Sequence, residues 1–188
     1  VPSATPAPVP SVALGSAAPS SPAPSGGPSA SATASASPGA SGDASDDPGA
    51  PFGVGLPAPA LVVPQVGGGT IDLANLRGQP VWVNFMGTYC PPCVDEFPLM
   101  NGFAARYADD GLVVVAIDVK EEEGVVAAFA DGLEATFPLG LDSDGSAAER
   151  WRAAALPVHF WIDKDGIVRD GALGGIGPDV MAAGVQSI

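Results

Sequence analysis

Apolar and polar positions alternate with clear periods after residue 50 and with none before it. Leu61 to Val66 and Thr70 to Leu73 read as short strands on either side of a Gly67-Gly68-Gly69 turn. Val81 to Phe85, Val-Trp-Val-Asn-Phe, is short, β-branched and aromatic, as a buried strand is. From Cys90 to about Asp109 the period changes: Phe97, Met100, Phe103, Ala104 and Tyr107 fall three and four apart, predicting a helix with Asp95, Glu96 and Arg106 turned to water. Leu112 to Asp118 is a continuous apolar run suited to a strand covered on both faces. Glu121 to Ala130 predicts a helix with three acids in its first turn. Phe137 to Leu141 reads as a short edge element, and Ser146 to Ala154 as a helix capped by Ser146 with Glu149 at the capping-box position. Val158 to Ile162 and Ile167 to Leu173 form a hairpin about Lys164-Asp165-Gly166, and Pro178 to Val185 a last short helix. The sum is an α/β chain: a mixed central sheet with helices on both faces.

Composition divides the chain at the same place. Of the first 50 residues, 41 are Ala, Ser, Pro or Gly, with no aromatic residue and no Lys or Arg. Such a stretch has little to bury and predicts a disordered linker, spanning about 40 Å as a flexible coil. Residues 51–188 are one domain's worth of chain. They carry all seven basic side chains and 18 of the 21 acids, which argues against nucleic acid or an anionic membrane surface as partner. The chain has no basic n-region and no apolar run of signal or membrane length, so any membrane tether is expected in a segment absent from it.

Both cysteines fall in one motif, Cys90-Pro91-Pro92-Cys93, where strand gives way to helix. Unpaired N–H groups and the positive end of the helix dipole favour a thiolate there, and the thiolate is the reactive form. Pro91 and Pro92 fix φ near the helical value and lack donors that a first turn leaves unpaired anyway. Cys90 is expected to be the exposed, attacking thiol and Cys93, one turn inside, the resolving one. Blander readings compete. A structural staple closing about four residues is worth about 2 kcal/mol, against about 5 for a loop of about 100 residues. Zinc would need a second Cys pair, and His159 is the only histidine. No metal is expected, and no cofactor beyond the Cys90/Cys93 disulfide.

The stretch from about Gly55 to Ile188 resembles the extracytoplasmic thiol-disulfide oxidoreductases of the TlpA/ResA/DsbE type, thioredoxin-fold relatives of the AhpC/TSA redoxins. The residues that carry the resemblance are the lead-in Gly-Leu-Pro-Ala-Pro, Leu73 to Gly78, Asn84-Phe85 ahead of the CxxC, Glu96-Phe97-Pro98, Leu156-Pro157, and Phe160-Trp161-Ile162-Asp163 followed by Asp165-Gly166. It implies a thioredoxin fold, redox cycling of Cys90 and Cys93, and a setting outside the cytoplasm. Pro157 falls where that fold carries its cis-proline, so Leu156 would offer main-chain hydrogen bonds to a substrate strand. Glu96 matches an acidic residue of the family near the active site, where a carboxylate disfavours a thiolate and can pass protons. Pro98 matches the proline that kinks the active-site helix. Two residues depart from the pattern: Tyr89 stands where Trp is usual, and His159 where Thr is frequent. His159 is expected to pack under a helix, with approach to the sulfurs as the alternative. Asn84 stands where cytoplasmic thioredoxins bury an Asp, which shifts the proton-acceptor role toward Glu96.

The expectation is therefore a monomeric, tethered oxidoreductase exchanging disulfides with protein thiols. In the reductant reading its substrate is apocytochrome c or another oxidised protein, and a membrane-bound thiol carrier recharges it. A disulfide-introducing oxidant is the alternative. A thioredoxin-fold copper chaperone and a peroxiredoxin-like peroxidase stand further off: the first resembles CxxxC, and the second needs an activating Arg that is missing between Arg77 and Arg106.

Overall fold

Five strands, β3 (Val81–Met86), β4 (Val113–Val119), β5 (Leu139–Asp142), β6 (Val158–Ile162) and β7 (Val168–Leu173), follow a two-stranded hairpin of β1 (Val62–Pro64) and β2 (Thr70–Asp72). They form one sheet in the order β5-β4-β3-β6-β7. The computed structural model describes residues 51–188; the linker expected over residues 1–50 lies outside the described residues. β3 runs parallel to β4 and antiparallel to β6, so the strand leading into the cysteines is central and all six of its residues are buried. The expected mixed sheet is thus present, with Leu139–Asp142 as one edge.

Strand alternation sends side chains to two separate cores. Val83, Phe85, Val115, Ile117 and Phe160 pack against the β1–β2 hairpin and α3 (Ser146–Arg150). Trp82, Met86, Val114, Ala116 and Trp161 pack on the other side against α1 (Pro91–Arg106), α2 (Glu123–Gly132) and α4 (Pro178–Gln186). Both cysteines belong to this second core. α4 approaches closely because residue 184 is glycine: a Cβ there would overlap the Trp161 indole.

Helix ends shift by a few residues from the sequence reading, and three of the shifts have a visible cause. α2 starts at Glu123, since Lys120 adopts a left-handed φ of 68° and the Glu121 side chain turns back to Thr88. α3 is not capped by Ser146: Gly145 is the N-cap, and the free N–H groups are met by Asp144 and Asp142, the latter accepting from Ala147 and Ala148 at 3.0 and 2.8 Å. α3 also stops at Arg150 rather than Ala154, because Arg152 takes a left-handed φ of 55°.

Candidate active site

β3 ends at Met86, and four residues later Cys90 is the N-cap of α1 in extended conformation (φ −94°, ψ 106°). Its carbonyl accepts the first helical bond, from Val94 N–H at 3.1 Å. Pro91 and Pro92 take the first two helical positions. Cys93 then falls one turn on, and a disulfide joins it to Cys90 with the Cα atoms 5.3 Å apart. Cys90 is 7 % exposed and Cys93 3 %. The outer sulfur is therefore the more accessible of the two, but it is more covered than the exposed thiol expected from sequence, since it joins the apolar core under the sheet.

Glu96 is the clearest departure from the helix-face reading. It does not reach water but is buried at 4 % exposure. One carboxylate oxygen, Oε1, accepts the Ile176 N–H from the loop before α4. The other, Oε2, lies 3.2 Å from His159 Nε2. His159 is fully buried on β6 and meets Glu96 of α1 rather than solvent. Its second nitrogen, Nδ1, is 3.3 Å from Trp82 Nε1 and 3.2 Å from Asn84 Nδ2. Asn84 faces His159 directly across the β3–β6 ladder. Gly175 closes this corner: a Cβ on it would stand 3.0 Å from Pro92 and 3.7 Å from Glu96 Oε1.

A second acidic group sits at the end of β4. Asp118 is buried, and burial together with the Glu121 carboxyl beside it pushes its pKa from 3.8 up to about 8. Burial thus favours the protonated form of Asp118. Glu121 titrates below its ordinary value: partial burial works against the charge, but hydrogen bonds from Thr88 and Asp118 outweigh it. The Thr88 N–H and Oγ1–H both reach the Glu121 carboxylate at 2.6 Å. This fastens the loop two residues before Cys90 to the start of α2. Sequence reasoning missed Asp118, Glu121 and Thr88 as a unit, and missed Trp82 and Ile176; an acid closing an otherwise apolar strand was the one visible signal.

Of the other expected site residues, Tyr89 is 67 % exposed beside Cys90, Pro91 is exposed and Pro92 half-buried. The Leu156–Pro157 peptide is cis. The Leu156 side chain packs against both cores, and the Pro157 carbonyl accepts Gly174 N–H at 2.8 Å. Among the described residues, no backbone group bonds to the N–H or C=O of Leu156.

A strand-CxxC-helix with a buried carboxylate one turn on suits thiol-disulfide exchange, and similarity to known proteins points the same way. Residues 54–170 match the AhpC/TSA family. The chain belongs to that family. It is 36 % identical over 121 residues to the thiol-disulfide oxidoreductase ResA of Bacillus cereus, covering 64 % of this chain and 70 % of that protein. The ResA of Bacillus subtilis is 34 % identical over 114 residues, 61 % of this chain and 64 % of that one. The chain thus spans about two thirds of the length of these relatives. A thiol:disulfide interchange protein of Chlorobium tepidum superposes with a TM-score of 0.63 at 26 % identity, over 70 % of this chain and 94 % of that structure. StoA of Bacillus subtilis shares the fold with a TM-score of 0.59 at 23 % identity, over 69 % and 97 %. The fold is thioredoxin-like, and the activity class of this AhpC/TSA-family chain is thiol-disulfide oxidoreductase. Among the described residues no group of three or more His, Cys, Asp or Glu is placed to hold a metal ion, and no helix is long and apolar enough to cross a membrane.

Proposed function

We propose that this chain reduces disulfides of extracytoplasmic proteins through Cys90 and Cys93, with residues 51–188 as the working domain and residues 1–50 as its tether. The observation that carries the reading is the position of the pair: Cys90 at the N-cap of α1, Cys93 bonded to it one turn inside, and Glu96 buried one turn further. Once the disulfide is reduced, the N-terminal end of the helix favours a thiolate at Cys90. That thiolate attacks a substrate disulfide and forms a mixed disulfide. Cys93 then attacks Cys90 Sγ, releasing the reduced substrate and restoring the Cys90–Cys93 bond. Glu96 takes the proton from Cys93 as it becomes nucleophilic.

Docking uses the surface around Cys90. Tyr89 offers an exposed ring and Pro91 an apolar rim, while Leu156 presents unpaired main chain to which an extended substrate segment can bond as an added strand. Protein thiols and disulfides are the substrates, apocytochrome c among them, and a membrane-bound thiol carrier returns the electrons. The kinship with ResA supports a protein working outside the cytoplasm. Trapping tests the assignment. Cys93→Ser should accumulate mixed disulfides with its protein partner, and Cys90→Ser should form none; equal, mild loss from both variants would contradict these roles.

A further inference from the structure

We infer that His159 is a positioning residue for Glu96: Trp82 and Asn84 occupy its Nδ1, and this leaves its protonated Nε2 beside the Glu96 carboxylate. The inference rests on the proposed role of Glu96 as proton acceptor for Cys93.

The starting point is which atoms can only donate. The indole N–H of Trp82 has no acceptor capacity, and it lies 3.3 Å from His159 Nδ1, so that nitrogen must present its lone pair. Asn84 agrees. Its Nδ2 lies 3.5 Å from the Val158 carbonyl, which can only accept, so the donor end of the amide faces this corner, 3.2 Å from the same Nδ1. A neutral imidazole whose Nδ1 accepts carries its proton on Nε2. That atom is 3.2 Å from Glu96 Oε2, an ion-pair distance at which the N–H is not aligned as a regular hydrogen bond, and neither atom has another polar partner. The remaining oxygen of Glu96 is held by Ile176 N–H.

Packing leaves the ring little freedom. It stacks on Trp161 with centroids 5.8 Å apart and planes 15° apart, and leans on Trp82 at 5.8 Å. Trp82, Asn84, Glu96 and His159 are all buried, so water does not compete for these bonds. One backbone hydrogen bond from the loop before α4 and one close imidazole contact from β6 therefore confine one carboxylate on α1.

This matters in the resolving step. As the Cys93 Sγ–Cys90 Sγ bond forms, the bond between Cys90 Sγ and the substrate sulfur breaks, and its electron pair leaves with that substrate sulfur. The Cys93 proton passes to Glu96 and then to the leaving thiolate or solvent. The two cysteines are oxidised, the substrate disulfide is reduced, and no other electron carrier enters. His159 keeps its own proton throughout and holds the carboxylate that receives the other.

The test uses the reduced full chain mixed with 5,5′-dithiobis(2-nitrobenzoate) at pH 7. Release of the first thionitrobenzoate reports formation of the Cys90 mixed disulfide and counts reactive Cys90, with near-UV circular dichroism confirming that each variant is folded. Release of the second reports attack by Cys93. In His159→Leu the second phase, normalised to the first, should slow about tenfold, the rate equivalent of losing one polar contact to a buried charged group. His159→Gln, whose amide supplies an N–H in the place of Nε2–H, should recover most of that loss; a Gln variant as slow as Leu would overturn the inference. Glu96→Gln is the control. Should it slow the second phase while His159→Leu does not, the His159 inference fails and the Glu96 role stands. Should Glu96→Gln itself leave the second phase unchanged, both fail. One readout needs no variant: His159 is the chain's only histidine, so its ring nitrogens give a single pair of ¹⁵N resonances. A protonated Nε2 beside an unprotonated Nδ1 is expected, and the reverse tautomer would overturn the inference even if His159→Leu does not fold.

Discussion

Two buried carboxyl groups lie on the helix-covered face that carries the disulfide, and they are held by opposite means. Glu96 on α1 is surrounded by donors: a backbone N–H on one oxygen and an imidazole nitrogen within 3.2 Å of the other. Asp118 at the end of β4 has a second carboxyl for a neighbour and is pushed up to about 8. The first environment suits the proton-acceptor role proposed for Glu96. The second favours the protonated form of Asp118, while Glu121 holds the Thr88 end of the Cys90 loop. Burial alone therefore does not decide what an acid does here; what decides is whether the nearest polar atom donates or competes.

The sulfurs set the scale for that comparison. Cys90→Ser should abolish disulfide exchange with protein substrates in an insulin-reduction assay, while Cys93→Ser should stall at the mixed disulfide. Next comes Glu96→Gln. Loss of a positioned proton acceptor should slow the resolving step by about 10²-fold, and removal of the nearby negative charge should lower the pKa of a cysteine thiol, read from the pH dependence of alkylation. An unchanged alkylation profile would make Glu96 a structural acid and erase the contrast with Asp118.

Asp118 should act on stability instead. Its native pKa lies above the unfolded value of 3.8, so the folded state holds a proton that the unfolded chain has released. Stability from this group is fully present below about pH 4 and is lost as pH rises toward about 8. Asp118→Asn keeps the shape without the titration and should flatten denaturant-derived stability between pH 5 and pH 8. The change should be some fraction of the about 1.4 kcal/mol per pH unit that one whole proton would give. A pH dependence as steep as wild type would contradict the assignment of this titration to buried Asp118. Thr88→Val, which loses one of the two bonds to Glu121, should cost about 1 kcal/mol in the same measurement and leave the second phase of thionitrobenzoate release unchanged. Smallest of all, deletion of residues 1–50 should leave the melting temperature almost where it was, since these residues have little to contribute to a core.

What the chain discloses in sequence and what it withholds divides along physical lines. The strand into Cys90, the helix after it and the β6–β7 hairpin were legible because each carries its own period or turn residues. Cys90, Cys93 and the neighbourhood of Glu96 were legible because the CxxC spacing and its flanks are local. The burial of Glu96 was not, since α1 presents it beside Asp95 and nothing in the helix says that Ile176 and His159 will cover it. Nor was the Trp82-Asn84-His159 cluster, which needs the register that sets Asn84 opposite His159 across antiparallel strands 75 residues apart. The Asp142 and Asp144 caps of α3 escaped for a simpler reason: Ser146 and Glu149 offered a plausible local cap, and a strand-end carboxylate reached the same N–H groups first.

The most direct test of the proposed reductant is the equilibrium reduction potential of the Cys90/Cys93 couple, measured against a thiol buffer with both sulfurs trapped and counted. A reversible two-electron couple near that of thioredoxin, about −270 mV, is the expected result. A couple near −120 mV would make the protein a disulfide donor, and no reversible couple at all would reduce Cys90–Cys93 to a structural link.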